Sequence, residues 1–167
     1  MMAVVASRRL CLCSALALAC SLVACAQAPK ATGASPLLRS GRMAISERAD
    51  NGRSFSAAFE LQGSATQGEL SIFTPLGGVL RKLVWDAESA RLLDGSSERR
   101  FANLAELSRA ALGTELPIAA LFDWLDGRAT PVPGWQTDLS RHAQGRIVAV
   151  RETPAPAVEL RVVLDQP

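Results

Sequence analysis

The sequence predicts an α+β domain in which a curved antiparallel sheet carries a helical cover on one face. Three observations predict this fold. Apolar and polar residues alternate in short runs from Leu38 to Phe101, which is the period of half-buried strands. The period becomes helical between residues 103 and 126, and alternation returns from Trp135 to Leu164. Strands, then helices, then strands is an order typical of helices packed on one antiparallel sheet.

An apolar leader precedes this domain. Arg8 and Arg9 come before an apolar run from Leu10 to Leu22, and Val23-Ala24-Cys25 follows. A membrane-spanning helix needs roughly 20 apolar residues, so the run is short for an anchor. The end of the run also fits a plain secretory cleavage site poorly. Leu22-Val23-Ala24-Cys25 resembles the bacterial lipobox, which implies cleavage before Cys25 and lipid attachment to it. The predicted segments are a signal peptide (1–24), a lipid-anchored tether (25–37) and a domain (38–167).

The composition excludes several kinds of function. All four cysteines lie at or before Cys25, so the domain has no thiol for a disulfide, a zinc site or a nucleophile. The one histidine, His142, argues against a His-based triad and is expected at the surface. Without Arg8 and Arg9, the 18 basic residues fall to 16 and equal the 16 acidic ones. This balance argues against nucleic-acid binding and against an electrostatically held membrane contact.

In the first half of the domain, the sequence pattern predicts six strands separated by turn residues. Asp50-Asn51-Gly52 is the strongest turn signal. Alternation in the second and third strands places four apolar side chains on one face: Phe55, Phe59, Leu70 and Ile72. The predicted strands begin at Leu38 and then cover 53–61, 68–74, 79–86, 90–93 and 97–101.

The turn Thr74-Pro75-Leu76-Gly77-Gly78 differs from an ordinary hairpin tip because it contains a leucine. Proline and glycine are typical turn residues, whereas an apolar tip is unusual. The residues alone leave two interpretations of Leu76 open. It either folds back onto the core or stays exposed.

Two helices follow these strands. Asn103 is a predicted N-cap, with Glu106 completing a capping box, and Gly113 ends the first helix. The second helix opens at Pro117 and runs to Asp126. Its apolar stripe consists of Ile118, Leu121, Phe122 and Leu125, with Trp124 beside it.

Three predicted strands at 135–139, 145–151 and 157–164 complete the domain, and no catalytic arrangement accompanies them. There is no glycine-rich phosphate loop and no Gly-x-Ser-x-Gly motif. Asp123 and Asp126 lie three residues apart on the second helix and are expected to be solvated. We therefore predict that the protein is not an enzyme and needs no metal or cofactor. Periodicity leaves open whether the apolar face forms a solid core or a ligand cavity.

Three stretches resemble the LolB family of outer-membrane lipoprotein receptors. They are the lipobox at Cys25, the Thr74-Pro75-Leu76-Gly77 hairpin, and the block that contains Leu116-Pro117, Leu121, Trp124-Leu125 and Gly127. The Gly134-Trp135 strand start and the Leu160-Arg161-Val162 strand also fit. These motifs occur in the order found in the family and span nearly the whole chain after Cys25.

The resemblance implies an incomplete antiparallel β-barrel with a helical lid over a hydrophobic cavity that accepts lipoprotein acyl chains. The periplasmic carrier LolA would deliver this cargo, and the receptor would insert it into the outer membrane from a lipid anchor on the periplasmic face. Leu76 corresponds to an exposed leucine linked to cargo release. The expected lining or lid residues are Phe55, Phe59, Leu70, Ile72, Leu121, Trp124 and Leu125. A monomer is expected.

One alternative belongs to another class. A structural or assembly lipoprotein of the outer membrane could bind a protein partner through an exposed edge strand, and its core would be solid. The space beneath residues 103–126 therefore distinguishes the two hypotheses.

Overall fold

The computed structural model describes residues 38–49 and 51–165. Cys25, the leader and the tether lie outside these residues. Within them the chain forms nine strands and two α-helices: β1 (Arg39–Arg48), β2 (Ser54–Gly63), β3 (Gly68–Phe73), β4 (Val79–Trp85), β5 (Ala90–Asp94), β6 (Ser97–Phe101), α1 (Leu104–Leu112), α2 (Ile118–Leu125), β7 (Trp135–Asp138), β8 (Arg146–Arg151) and β9 (Ala157–Leu164).

The nine strands form one antiparallel sheet in the order β6-β5-β4-β3-β2-β1-β9-β8-β7. The last strand pairs with the first, so the two ends of the domain meet inside the sheet. Strands β6 and β7 are the edges and do not pair with each other. The sheet is therefore curved and unclosed, which agrees with the incomplete barrel that the family resemblance implies.

Register places the apolar residues of neighbouring strands on the same inner face. Ile45 pairs with Phe55 on one side and Leu160 on the other, and Phe59 pairs with Ile72. Because side chains alternate between faces, the intervening polar residues lie on the outer face. A shift of one residue in any of these strands would exchange the two faces.

Helix α1 begins and ends as the sequence predicts. The side chain of Asn103 accepts a hydrogen bond from the Glu106 amide at 2.9 Å, and Glu106 Oε2 accepts one from the Ala102 amide at 3.4 Å. Gly113 ends the helix in the left-handed region with φ of 82°, where glycine carries no Cβ penalty. Both ends of the helix are therefore set by residues within it or next to it.

Helix α2 is buried on nearly all sides. Besides the predicted stripe, Ala120 and Trp124 are buried. A helix that is apolar all round belongs inside a core rather than on its surface. Helices α1 and α2 cover the inner face of the sheet. None of the helices within the described residues is long and apolar enough to span a membrane.

Candidate functional site

The apolar layer between the sheet and the helices is the first candidate site. Phe59, Leu70 and Ile72 project from the sheet, and Leu121 and Trp124 project from α2. Each of these side chains is at most 1% exposed. A side chain beside a water-sized void would keep some exposed surface, so these side chains pack against one another. In this conformation the space predicted as a cavity is filled by the chain's own side chains.

Trp124 is held at the centre of this layer by specific contacts. Its indole N–H donates to the Thr130 carbonyl at 2.9 Å, and its ring lies 5.9 Å from that of Trp135. On the other side of the layer, the ring of Phe122 meets that of Trp85 edge to face at 6.2 Å. Aromatic pairs of this geometry add stability beyond their buried area. They fix α2 between the sheet and the loop that follows the helix.

An ion pair joins the end of α2 to the first strand. The Arg39 guanidinium donates two hydrogen bonds to the carboxylate of Asp126, at 2.7 and 2.8 Å, and stacks 5.2 Å above the Phe122 ring. The hydrogen bonds from Arg39 hold the pKa of Asp126 below its usual value against partial burial. Two parallel bonds of this kind are strong and directional. The pair therefore fastens α2 to the sheet.

Neither Asp123 in α2 nor Asp126 at its C-terminal end is freely solvated, which corrects the sequence expectation. Asp123 accepts hydrogen bonds from Thr130 Oγ1 at 2.6 Å and from Arg128 at 2.5 Å, and these bonds lower its pKa. Asp126 is tied to Arg39. His142 also differs from expectation, since it is half-buried with Nε2 2.9 Å from the Leu125 carbonyl oxygen. Asp126 and His142 link the end of α2 to other parts of the fold, and Asp123 holds the loop that follows the helix.

Helix α1 is fastened through its C-terminus. Arg81, on the inner face of β4, donates from Nη1 to the Ala111 carbonyl at 2.7 Å and from Nε to Asp94 Oδ2 at 3.0 Å. The last carbonyls of a helix lack partners within the helix and carry partial negative charge. The Arg81 guanidinium donates a hydrogen bond to one of these carbonyls and places positive charge beside them. Arg81 therefore links the end of α1 to the sheet.

A groove opens beside the C-terminus of α1. It has a volume of about 450 Å³ and lies between β1, β2, β4 and residues 110–114. Phe55 and Ile45 form part of its apolar wall. Its charged residues are Arg53, Arg81 and Glu47, and Arg53 pairs with Glu47 at 3.1 Å. Phe55 is therefore the predicted lining residue that borders an open space, whereas the other six are buried in the core.

The hairpin between β3 and β4 presents an exposed apolar tip. Leu76 is 98% exposed, and Val79 and Leu80 are also exposed. Thr74 closes the turn with two hydrogen bonds. Its carbonyl oxygen accepts one from the Gly77 amide at 2.9 Å, and its side-chain Oγ1 accepts one from the Gly78 amide at 3.1 Å. Of the two interpretations that the sequence left open, the structure therefore supports the exposed one: Leu76 does not fold back onto the core.

The hairpin and the groove lie at the same end of the sheet. Phe73 pairs with Ala58, so the turn after Phe73 projects past Ala58 towards the start of β2, where Arg53 and Phe55 line the groove. The sequence indicated the hairpin and Phe55 separately. It gave no signal that they are neighbours, and it missed Arg39 and Arg81, whose partners are distant in the chain.

Comparisons with known proteins match most of this domain. The family described as "Outer membrane lipoprotein LolB" matches residues 38–159. The Outer-membrane lipoprotein LolB of Nitrosomonas europaea is 30% identical over 118 residues, which cover 70% of this chain and 53% of that protein. The protein of the same name from Ralstonia nicotianae is 38% identical over 79 residues, covering 47% and 37%.

A third relative matches over a longer region. The Outer-membrane lipoprotein LolB of Bordetella petrii is 27% identical over 177 aligned residues, which cover 89% of each chain. The matches to the Nitrosomonas and Ralstonia proteins, by contrast, span about half of those relatives or less.

Proposed function

The chain belongs to the LolB family of outer-membrane lipoproteins, and from this premise we propose that it accepts the acyl chains of other lipoproteins and inserts them into the outer membrane. The periplasmic carrier LolA would deliver the cargo. Acyl chains need such a partner because each methylene exposed to water costs about 0.8 kcal/mol. The protein acts by binding and release, and no step of this role requires bond chemistry.

The observation that carries this proposal is the family match over residues 38–159. The apolar layer between the open sheet and the two helices is the part of the fold that could receive an acyl chain. The side chains that the sheet and the helices contribute to this layer are apolar. The hydrogen bonds that attach the helices to the sheet, Arg39–Asp126 and Arg81–Ala111, lie at its margins. Such a layer can exchange its own contacts for contacts with an acyl chain without burying polar groups that lack hydrogen bonds, so the free-energy cost of the exchange is small. Because the layer is filled, cargo binding requires α1 and α2 to move away from the sheet.

The groove beside α1 supplies a route for this exchange. An acyl chain seated against Phe55 and Ile45 would lie at the margin of the buried layer. From there it could advance between β4 and α1 as Arg81 releases the Ala111 carbonyl. We therefore place the first contact with cargo at the groove, and we place Phe59, Leu70, Ile72, Leu121, Trp124 and Leu125 along its later path.

Release into the bilayer is assigned to the hairpin. Leu76 has no packing role in the fold because it is 98% exposed. Burying a leucine side chain in an apolar phase stabilises by about 1.5–3 kcal/mol, so the tip would favour contact with the membrane. A lipid anchor at Cys25, after cleavage of residues 1–24 and through a tether over 25–37, would keep residues 38–167 beside that membrane.

Substitution of Leu76 by glutamate tests this role. We expect Leu76→Glu to leave the free energy of unfolding within about 0.5 kcal/mol of the original chain. Transfer of lipoprotein from LolA to outer-membrane vesicles should slow about tenfold to hundredfold, the rate equivalent of one buried leucine. Ala87→Glu is the matched control, because it adds the same charge to an exposed turn at the other end of β4. Equal transfer rates for the two variants would exclude a membrane role for Leu76.

A second candidate is an assembly lipoprotein that binds a protein partner through an edge strand, and the filled interior favours it. Strand β6 is an exposed edge with Glu98, Arg99 and Arg100. A photoreactive acyl chain on a model lipoprotein separates the two functions. Cross-links to Leu121 or Trp124 support acyl acceptance. Their absence, together with normal lipoprotein sorting in cells depleted of this chain, would assign it to the second function.

A further inference from the structure

The outer face of β1, β8 and β9 carries an apolar patch surrounded by arginines. Register places Arg146, Val163 and Arg42 in one row across these three strands, and Val148, Arg161 and Ala44 in the next row. Their chain neighbours Met43, Ile147 and Val162 are buried in the core, so both rows face outward. Val163 is 49% exposed, although alternation alone would favour a polar residue there.

A pocket of about 300 Å³ lies on this patch. It is bordered by Val148 and Val163 and by three arginines, Arg141, Arg146 and Arg161. We define the outer patch as these five residues together with Arg42. Its floor is apolar, and its margin carries four arginines and one carboxylate, that of Asp138. The arginines outnumber the carboxylate, which fits an anionic amphiphile better than a neutral ligand.

The positive charge of the outer patch is only partly neutralised. Arg161 pairs with Glu159, which also pairs with Arg48. Asp138 accepts a hydrogen bond from the Ser140 amide, which lowers its pKa, and Arg141 adds to that shift through its charge. Within the described ranges Arg42 and Arg146 form no ion pair. A chain that is neutral after its leader therefore has a locally basic face, which overall composition does not reveal.

We propose that the outer patch binds the phosphate headgroups of anionic phospholipids and holds the domain against the membrane. The guanidinium group presents a planar fork of donors that matches phosphate oxygens, and valines beside it can contact the glycerol and upper acyl region. Each arginine near an anionic surface strengthens binding about fivefold. The proposal rests on the proposed membrane anchoring, and it is independent of cargo acceptance.

The position of the patch relative to the hairpin supports a lipid rather than a protein occupant. The row of Arg146, Val163 and Arg42 continues through Ala58 on β2 to Phe73, at the base of the hairpin. Strands lie roughly 4.8 Å apart, so the row spans about 19 Å over its four spacings. The patch is therefore close, along the sheet, to the base of the apolar tip that we assign to the membrane.

Fluorescence quenching in proteoliposomes tests this contact with the lipid-anchored chain. A fluorophore is attached at Gln144→Cys, which is exposed beside Arg141 and Arg146, or at Ser97→Cys on edge strand β6. The vesicles contain headgroup spin-labelled lipid in phosphatidylcholine, with or without phosphatidylglycerol. We expect quenching at Gln144→Cys to exceed quenching at Ser97→Cys only when phosphatidylglycerol is present.

Charge reversal of two arginines provides the decisive comparison. Arg42→Glu with Arg146→Glu should lower the ratio of docked to undocked domain at least about thirtyfold, or about fivefold for each arginine removed. Arg99→Glu with Arg100→Glu is the control, since it makes the same charge change on β6. Raising salt from about 0.1 M to about 1 M should mimic the first double variant.

Two results would overturn the proposal. Quenching that is equal with and without phosphatidylglycerol would mean that the tether alone brings the label to the lipid. Absence of quenching in every vesicle would show that the outer patch does not contact lipid. Cargo transfer by Leu76→Glu is measured separately, so failure of headgroup binding and failure of lipoprotein acceptance give different results.

Discussion

Removal of the Asp126 charge is the most direct test of whether α2 is a movable lid. Asp126→Asn keeps the shape of the side chain but replaces a carboxylate that accepts bonds from Arg39 at 2.7 and 2.8 Å. The side chains of Arg39 and Asp126 are only 13% and 24% exposed, so water screens the pair less than it screens a surface pair. We expect α2 to separate from the sheet more readily in this variant.

The magnitude follows from the geometry of the pair. A hydrogen bond to a charged group contributes about 1.5–3 kcal/mol to stability, and an amide retains one acceptor for Arg39. We therefore expect Asp126→Asn to weaken the attachment of α2 by about 1–2 kcal/mol, which raises the population of the detached helix about fivefold to thirtyfold. If the proposed function holds, acyl chains should bind correspondingly faster.

Native-state hydrogen exchange of the amides in Ile118–Leu125 measures this effect, with urea unfolding as the global reference. Exchange in α2 should accelerate more than exchange in β1 and β9. Glu98→Gln is the control, because it removes an exposed ion pair on β6 and should change stability by less than about 1 kcal/mol. Identical exchange in α2 of Asp126→Asn and the original chain would refute the role of this ion pair as a fastener.

Acid should have the same effect as the substitution. The pKa of Asp126 is lowered by the hydrogen bonds from Arg39, so the unfolded or detached state binds the proton more tightly. This contribution to stability is complete above the ordinary aspartate pKa of about 4, and it is lost as pH falls through the lowered folded-state value. Asp123 titrates in the same direction, so Asp126→Asn should reduce, but not abolish, the acid sensitivity of α2.

Two further predictions concern the helices. Trp124→Ala should lower the free energy of unfolding by about 3–5 kcal/mol, because Trp124 is fully buried and its indole N–H donates to the Thr130 carbonyl. Urea unfolding measures this loss, and a loss below about 1 kcal/mol would mean that α2 is not packed as described. Asn103→Ala should lower the free energy of unfolding by about 1 kcal/mol through loss of the helix cap, whereas Asn103→Asp should be about as stable as the original chain. Helix content and the urea midpoint measure both variants, and equal stability of the two would contradict the capping role.

Local sequence patterns were sufficient to predict the elements. The alternation at Phe55, Phe59, Leu70 and Ile72 identified the inner face because strand side chains alternate regardless of which strand lies alongside. Asn103 predicted the start of α1 because its cap bond spans only three residues. The antiparallel sheet with a helical cover could be predicted for the same reason, from the period and order of the elements, whereas the incomplete barrel was predicted only from the resemblance to the LolB family.

Local signals were ambiguous where a side chain could face either of two environments. Leu76 is an apolar residue in a turn, and its own sequence context fits both packing and exposure. The structure leaves it exposed because the amides of Gly77 and Gly78 donate hydrogen bonds to Thr74 and hold a tight turn with Leu76 at its tip. Asp126 was expected in solvent because its partner Arg39 lies 87 residues away, beyond the reach of any helical pattern.

What the sequence by itself determined is the set of strands and helices, their apolar faces and the family, because periodicity, caps and motifs are properties of neighbouring residues. Only the tertiary structure decided that the layer beneath the helices is filled, that Arg39 fastens α2, and that arginines and valines of β1, β8 and β9 form one patch. These features depend on which strands lie side by side, and the pairing of the first strand with the last joins residues that no local pattern connects.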